Sequence, residues 1–175
     1  MANEKRYGGI TVTDLFMKHF ILQGIFLLSF CGMSSGQRVQ KVNVVQLETI
    51  INQSKHPLLV DFWATYCVPC MEEIPTMEKK VKEHPGVKLL LVSLDLPNYY
   101  PARVEQFAQE HRLAGSLYWL NETNADYFCP RIDTNWSGGI PASLFINPRT
   151  HYRRFLEKQL NAGELNDNLE RLLRN

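Results

Sequence analysis

The chain has 175 residues, 45% of them hydrophobic, and a formal net charge of +1. That length and apolar content suit one domain with a sizeable core, and the near-balance of charge gives no electrostatic reason to expect nucleic acid or another polyanion as partner. Cysteine occurs at positions 31, 67, 70 and 129.

Residues 20–33 form an apolar stretch interrupted by Gln23, preceded by Met17-Lys18-His19 and followed by Ser34-Ser35-Gly36. Its length suits a signal-peptide core better than a membrane span, and the small residues fit cleavage after Gly36. We read residues 1–36 as an N-terminal extension with an export signal, Met17 being an alternative start, and residues 37–175 as the folded domain. An uncleaved anchor is the alternative. The segment Leu28-Ser29-Phe30-Cys31 loosely resembles a lipidation box, but Phe30 is too bulky just before the cysteine. Export implies a periplasmic or cell-envelope setting, which is oxidising.

The domain opens with a strand predicted at 42–45 and a helix at 46–53 with Leu47, Ile50 and Ile51 inward. Leu58 to Phe62 is an apolar run carrying one charge, Asp61, and reads as a strand buried on both faces. The spacing of Val68, Met71, Ile74, Met77 and Val81 predicts a helix, stopped by His84-Pro85-Gly86. Pro69 suits its first turn and Pro75 falls inside it, where a kink is expected. Residues 87–94 read as a central parallel strand, 103–112 as a helix with Val104, Phe107, Ala108 and His111 on one face, and 117–120 as a strand. Residues 121–139 look polar and irregular. A strand at 142–147, a turn at 147–150, a returning strand at 151–156 and a final helix near 164–173 burying Leu165, Leu169, Leu172 and Leu173 complete the pattern.

Two cysteines lie where strand gives way to helix, Cys67 at the helix N-terminus and Cys70 one turn further on. Free N–H groups and the positive end of the helix macrodipole stabilise a thiolate there, and the thiolate is the nucleophile of disulfide exchange. Moving a free cysteine from about 8.5 to about 7 needs roughly 2 kcal/mol, whereas a helix end supplies about 0.3–1. A hydrogen bond from the second thiol is the expected remainder, and Cys70 is placed to resolve the mixed disulfide. A zinc site would need a second ligand pair that Cys129 and scattered histidines do not provide, and c-type haem attachment would need histidine where Met71 stands.

The run Asp61-Phe62-Trp63-Ala64-Thr65-Tyr66-Cys67-Val68-Pro69-Cys70-Met71-Glu72-Glu73-Ile74-Pro75, with Gly138-Gly139-Ile140-Pro141 far downstream, resembles thioredoxin. Its fuller form is similar to the exported reductases of the TlpA/ResA type. The resemblance implies an α/β thioredoxin fold: a central mixed sheet flanked by helices, a βαβ half and a ββα half, and an extra helix and strand at 103–120 between them. It also implies a redox-active Cys67–Cys70 disulfide with no bound cofactor and no metal, protein disulfides as substrates, and an upstream membrane or envelope thiol reductant. Cytochrome c maturation is one destination it suggests. Membrane contact is expected only through residues 20–33.

Single residues then acquire expected roles. Asp61, buried six residues before Cys67, is expected to titrate high and accept the Cys70 proton; otherwise it only caps backbone. Glu73 matches the acid of the TlpA/ResA motif and is expected to tune the cysteine pair; the alternative is that any acid early in a helix is favoured by the dipole. The resemblance implies that Pro141 follows a cis bond beside the cysteines and leaves the backbone at Ile140 free to pair with an extended substrate. Trp63 and Tyr66 are expected to form an aromatic surface around the thiol, with Trp136 lining the same groove. Cys129 reads as a small hydrophobe, with an intermolecular bond or third redox position as the sharper alternative. The expected activity is protein-disulfide reduction; a net oxidant or isomerase and a redox-inert peptide-binding module are the alternatives.

Overall fold

The computed structural model describes residues 38–174, so the readings of residues 20–33, Met17, Cys31 and the boundary at 36 lie outside the described residues. The elements run β1 (Gln40–Val42), α1 (Val44–Asn52), β2 (Leu58–Trp63), α2 (Val68–Glu83), β3 (Lys88–Ser93), α3 (Ala102–Glu110), β4 (Ser116–Leu120), α4 (Ala125–Ile132), β5 (Ala142–Asn147), β6 (Tyr152–Leu156) and α5 (Ala162–Leu173). The sheet order is β1-β4-β3-β2-β5-β6. β1 pairs with β4, β4 with β3 and β3 with β2 in parallel, while β2–β5 and β5–β6 are antiparallel. This is the thioredoxin-like arrangement expected, with β2-α2-β3 and β5-β6-α5 as the halves and α3-β4 as the insertion.

Every residue of β2 is buried, and its alternation divides the core. Leu59 and Trp63 face one apolar layer with Ile74 and Met77 of α2, Val104 and Ala108 of α3, and Leu165, Leu169 and Leu172 of α5. Leu58, Val60 and Phe62 face the other, with Val44, Leu47 and Ile51 of α1 and Phe128, Cys129 and Ile132 of α4. Period two places Asp61 on the α2 side, between Leu59 and Trp63.

Several sequence expectations are corrected. The first strand ends at Val42 because Asn43 caps α1 reciprocally with Gln46, each side chain taking the other's backbone N–H at 2.9 Å. Residues 121–139 are not wholly irregular, since α4 forms despite Pro130 and buries Phe128, Cys129 and Ile132. The inward face of α2 is Cys70, Glu73, Ile74 and Met77, whereas Val68 is exposed and Met71 only half-buried. His111 is not on a buried face; it caps the end of α3, exposed, with its ring stacked on Phe107 at 3.9 Å. Leu173 is likewise exposed at the end of α5.

Candidate active site

The turn from β2 into α2 makes the site. Cys67 is the N-cap of α2, with extended backbone, and its N–H bonds the Ala64 carbonyl at 3.0 Å. Pro69 in the first turn has no N–H of its own to leave unpaired. The Cys70 N–H donates to Cys67 Sγ at 3.3 Å, so a helix-terminal amide points at the sulfur expected to attack. Cys67 and Cys70 are joined as a disulfide, with Cα atoms 5.3 Å apart, and Cys70 is the more deeply buried of the two.

Two carboxyls are buried on the same side of the sheet as this pair. Asp61 is fully buried; its Oδ1 accepts from the Ser143 hydroxyl at 3.3 Å and its Oδ2 has no partner among the described residues. Burial pushes its carboxyl well above the usual range, the charge of Glu73 pushes the same way, and the Ser143 hydrogen bond opposes them. Glu73, beyond the first turn of α2, is also buried, so attraction to the helix dipole does not explain its place. Its Oε2 accepts the Leu160 N–H at 2.8 Å and its Oε1 has no partner. Burial raises it to about 7, against the pull of the Leu160 bond. Glu72 is exposed and meets only Gln159 Nε2, at 3.2 Å, which also reaches the Pro69 carbonyl.

Sequence reasoning missed a third acid. Asp95, just past β3, accepts from the Thr65 N–H at 3.0 Å, the Thr65 hydroxyl at 2.6 Å and the Ser93 hydroxyl at 2.8 Å. Its own carbonyl takes the Trp119 indole N–H at 2.7 Å. It ties the loop ahead of Cys67 to the sheet. The available signal was a buried-strand terminus ending in an acid, Ser93-Leu94-Asp95, beside a threonine two residues before a cysteine.

Ile140–Pro141 is cis and Pro141 is buried. Ala142 pairs with Phe62, so Pro141 lies one register step further along, level with Trp63 and at the cysteine end of β2. The backbone of Ile140 joins none of the turn and loop hydrogen bonds. The aromatic expectations are corrected in part. Tyr66 is exposed beside Cys67, as is Val68, but Trp63 is fully buried against Phe107 and forms core, not surface. Trp136 is buried among Phe62, Phe128 and Phe155, and its indole N–H holds the Gly139 carbonyl at 2.9 Å, so it supports the loop from behind and lines no groove. Cys129 is free and buried. Among the described residues no group of three or more His, Cys, Asp or Glu is placed to hold a metal ion, and no helix is long and apolar enough to cross a membrane.

The thioredoxin family model matches residues 38–108, which include β2, the cysteine pair and the whole of α2. The chain carries a thioredoxin-like domain. Within this class the domain is similar to thiol-disulfide oxidoreductase ResA of Oceanobacillus iheyensis, at 29% identity over 116 residues, covering 63% of this chain and 56% of that one. It is 36% identical over 103 residues to thioredoxin-like protein YneN of Bacillus subtilis, covering 55% and 60%. A thioredoxin-related protein from Neisseria meningitidis serogroup B shares the fold, with a TM-score of 0.57 at 23% identity over 68% of this chain and 86% of that one. The domain is therefore similar to ResA and shares the thioredoxin-like fold. The chain spans less than two thirds of the length of the curated relatives it matches.

Proposed function

We propose that this chain is a thiol-disulfide oxidoreductase that reduces protein disulfides in the cell envelope. The observation that carries the reading is the Cys67–Cys70 disulfide at the N-cap of α2, with a backbone amide on Cys67 Sγ and two partly unpaired carboxyls buried on the same side of the sheet.

In the reduced protein the Cys67 thiolate attacks one sulfur of a substrate disulfide. The substrate S–S bond breaks, one substrate thiolate leaves, and a mixed disulfide forms. Cys70 then attacks Cys67 Sγ, and its proton passes to Asp61, whose carboxyl burial holds well above the usual range. The second substrate thiol departs and the Cys67–Cys70 disulfide of the structure results, two electrons having moved to substrate. Glu73, tethered to Leu160, adjusts Asp61 by its charge. No bound cofactor takes part; an envelope or membrane thiol reductant restores the dithiol. Exposed Tyr66 and Val68 flank the nucleophile and give an incoming chain apolar surface. Export rests on residues 20–33, and cytochrome c maturation is the destination that the TlpA/ResA likeness favours.

Cys67→Ser should abolish reduction of insulin disulfides, while Cys70→Ser should retain a covalent substrate adduct that dithiothreitol releases. Absence of both would overturn the reading in favour of a redox-inert peptide-binding module. A potential at or below about −220 mV against glutathione supports net reduction, and one well above it supports an oxidant or isomerase.

A further inference from the structure

The loop before Pro141 is held by a residue far along the chain. Glu157 follows directly on β6, and extending the Ser143–Leu156 register by one step puts it level with Ala142. Its carboxylate accepts the Ser137 N–H at 2.9 Å, the Gly139 N–H at 2.7 Å and the Ser137 hydroxyl in a short contact. The Trp136 indole N–H in turn holds the Gly139 carbonyl at 2.9 Å. The approach is so close that a Cβ on Gly139 would lie 2.5 Å from Glu157 Oε1, and Gly138 adopts a left-handed φ of 97°. Burial pushes the Glu157 carboxyl up, but its bonds to Ser137 and Gly139 outweigh that and hold it below the ordinary range. Every polar backbone group so engaged belongs to residues 137–139, whereas Ile140, next in line, stays out of these hydrogen bonds.

We infer that Glu157 is a positioning residue for substrate: it fixes the Ser137–Gly139 backbone so that Ile140 presents its free N–H and C=O to an extended peptide beside Cys67. Main-chain pairing of this kind depends on a template already in strand geometry, because ordering it during binding would cost affinity. The inference rests on the proposed disulfide reduction. It separates two classes of substrate: a disulfide flanked by peptide needs the template, and a small disulfide without backbone does not.

The test uses the full chain, reduced, with insulin and with 2-hydroxyethyl disulfide as substrates. Glu157→Ala should raise KM for insulin roughly ten-fold, the scale of one or two net hydrogen bonds, with kcat and the rate on 2-hydroxyethyl disulfide little changed. Glu157→Gln keeps one acceptor oxygen and should lose less. Gly139→Ala, which collides with the carboxylate, should reproduce the Glu157→Ala phenotype and stands in if that variant fails to fold. Amide hydrogen exchange should show the Gly139 N–H deprotected in Glu157→Ala. Equal losses on both disulfides, no loss on either, or an unchanged Gly139 amide would overturn this role while leaving the activity intact. A wild-type protein inert toward both disulfides would overturn the activity itself, and this role with it.

Discussion

Asp95 grips Thr65 twice, through the backbone N–H at 3.0 Å and the hydroxyl at 2.6 Å, and so pins the loop two residues ahead of Cys67 to the end of β3. All four groups are buried, so removing the acid strands donors that water cannot reach. Asp95→Ala should therefore cost about 2–4 kcal/mol in urea unfolding, and should shift the potential of the cysteine pair because Cys67 loses its fixed place at the helix end. Asp95→Asn keeps one acceptor oxygen and should recover part of both. A stability within 0.5 kcal/mol of wild type, roughly the range of a surface substitution, would show that the loop is held by something else.

Glu73 makes the stability of the folded protein fall as pH rises. Its folded value of about 7 lies above the ordinary 4.5, so between these limits the native state binds more protons than the unfolded one. Stability is full below about pH 4.5, declines through about 7 and is flat beyond, a loss of at most about 3 kcal/mol. Asp61, also raised, acts in the same direction from its own lower starting value. Chemical denaturation of the oxidised protein from pH 5 to 8 should show that decline, and Glu73→Gln should flatten much of it and be more stable than wild type at pH 8. A profile that rises over this range would contradict the burial of the pair.

Which parts of this arrangement were legible in the sequence follows from the range of the interactions. The α2 junction was readable because its determinants are local: an apolar run, a proline suited to a first turn and two cysteines one turn apart. Asp61 was readable because a lone acid in a fully apolar strand has nowhere to go but the interior. Trp63 and Trp136 were misplaced, because an aromatic next to a motif looks the same in sequence whether it faces solvent or core. The Asp95–Thr65 and Glu157–Gly139 bonds span 30 and 18 residues, and they depend on strand register that no local pattern encodes. α4 escaped notice because Pro130 and its polar flanks mask a short amphipathic helix.

In the proposed mechanism Asp61 serves the second half of the exchange, when Cys70 must lose its proton. Its unpaired Oδ2 lies on the α2 side of β2, the face that Cys70 and Glu73 share. Asp61→Asn keeps the shape and removes the base, so resolution of the mixed disulfide should slow by about 100-fold, the lower end of general-base effects. Attack by Cys67 should be little altered. Rapid-quench counting of mixed disulfide and released thiol separates the two steps; equal slowing of both would assign Asp61 to the nucleophile instead.

Cys129 is the remaining thiol of the described residues, and its surroundings argue that it takes no part in exchange. It lies within the apolar layer of α1 and α4, and its Sγ is near enough to Gly138 that a Cβ there would touch it at 3.7 Å. Burial, followed by the charges of Glu157 and Asp126, pushes the thiol up to about 11, so almost none is thiolate at neutral pH. In the oxidised native protein iodoacetamide should leave Cys129 unmodified for hours and label it only on unfolding. Cys129→Ala should cost about 1 kcal/mol for the lost packing, with insulin reduction unchanged. If the oxidised wild type instead forms dimers that dithiothreitol dissolves and Cys129→Ala cannot form, the thiol is reaching solvent by an opening of α4, and its role is covalent.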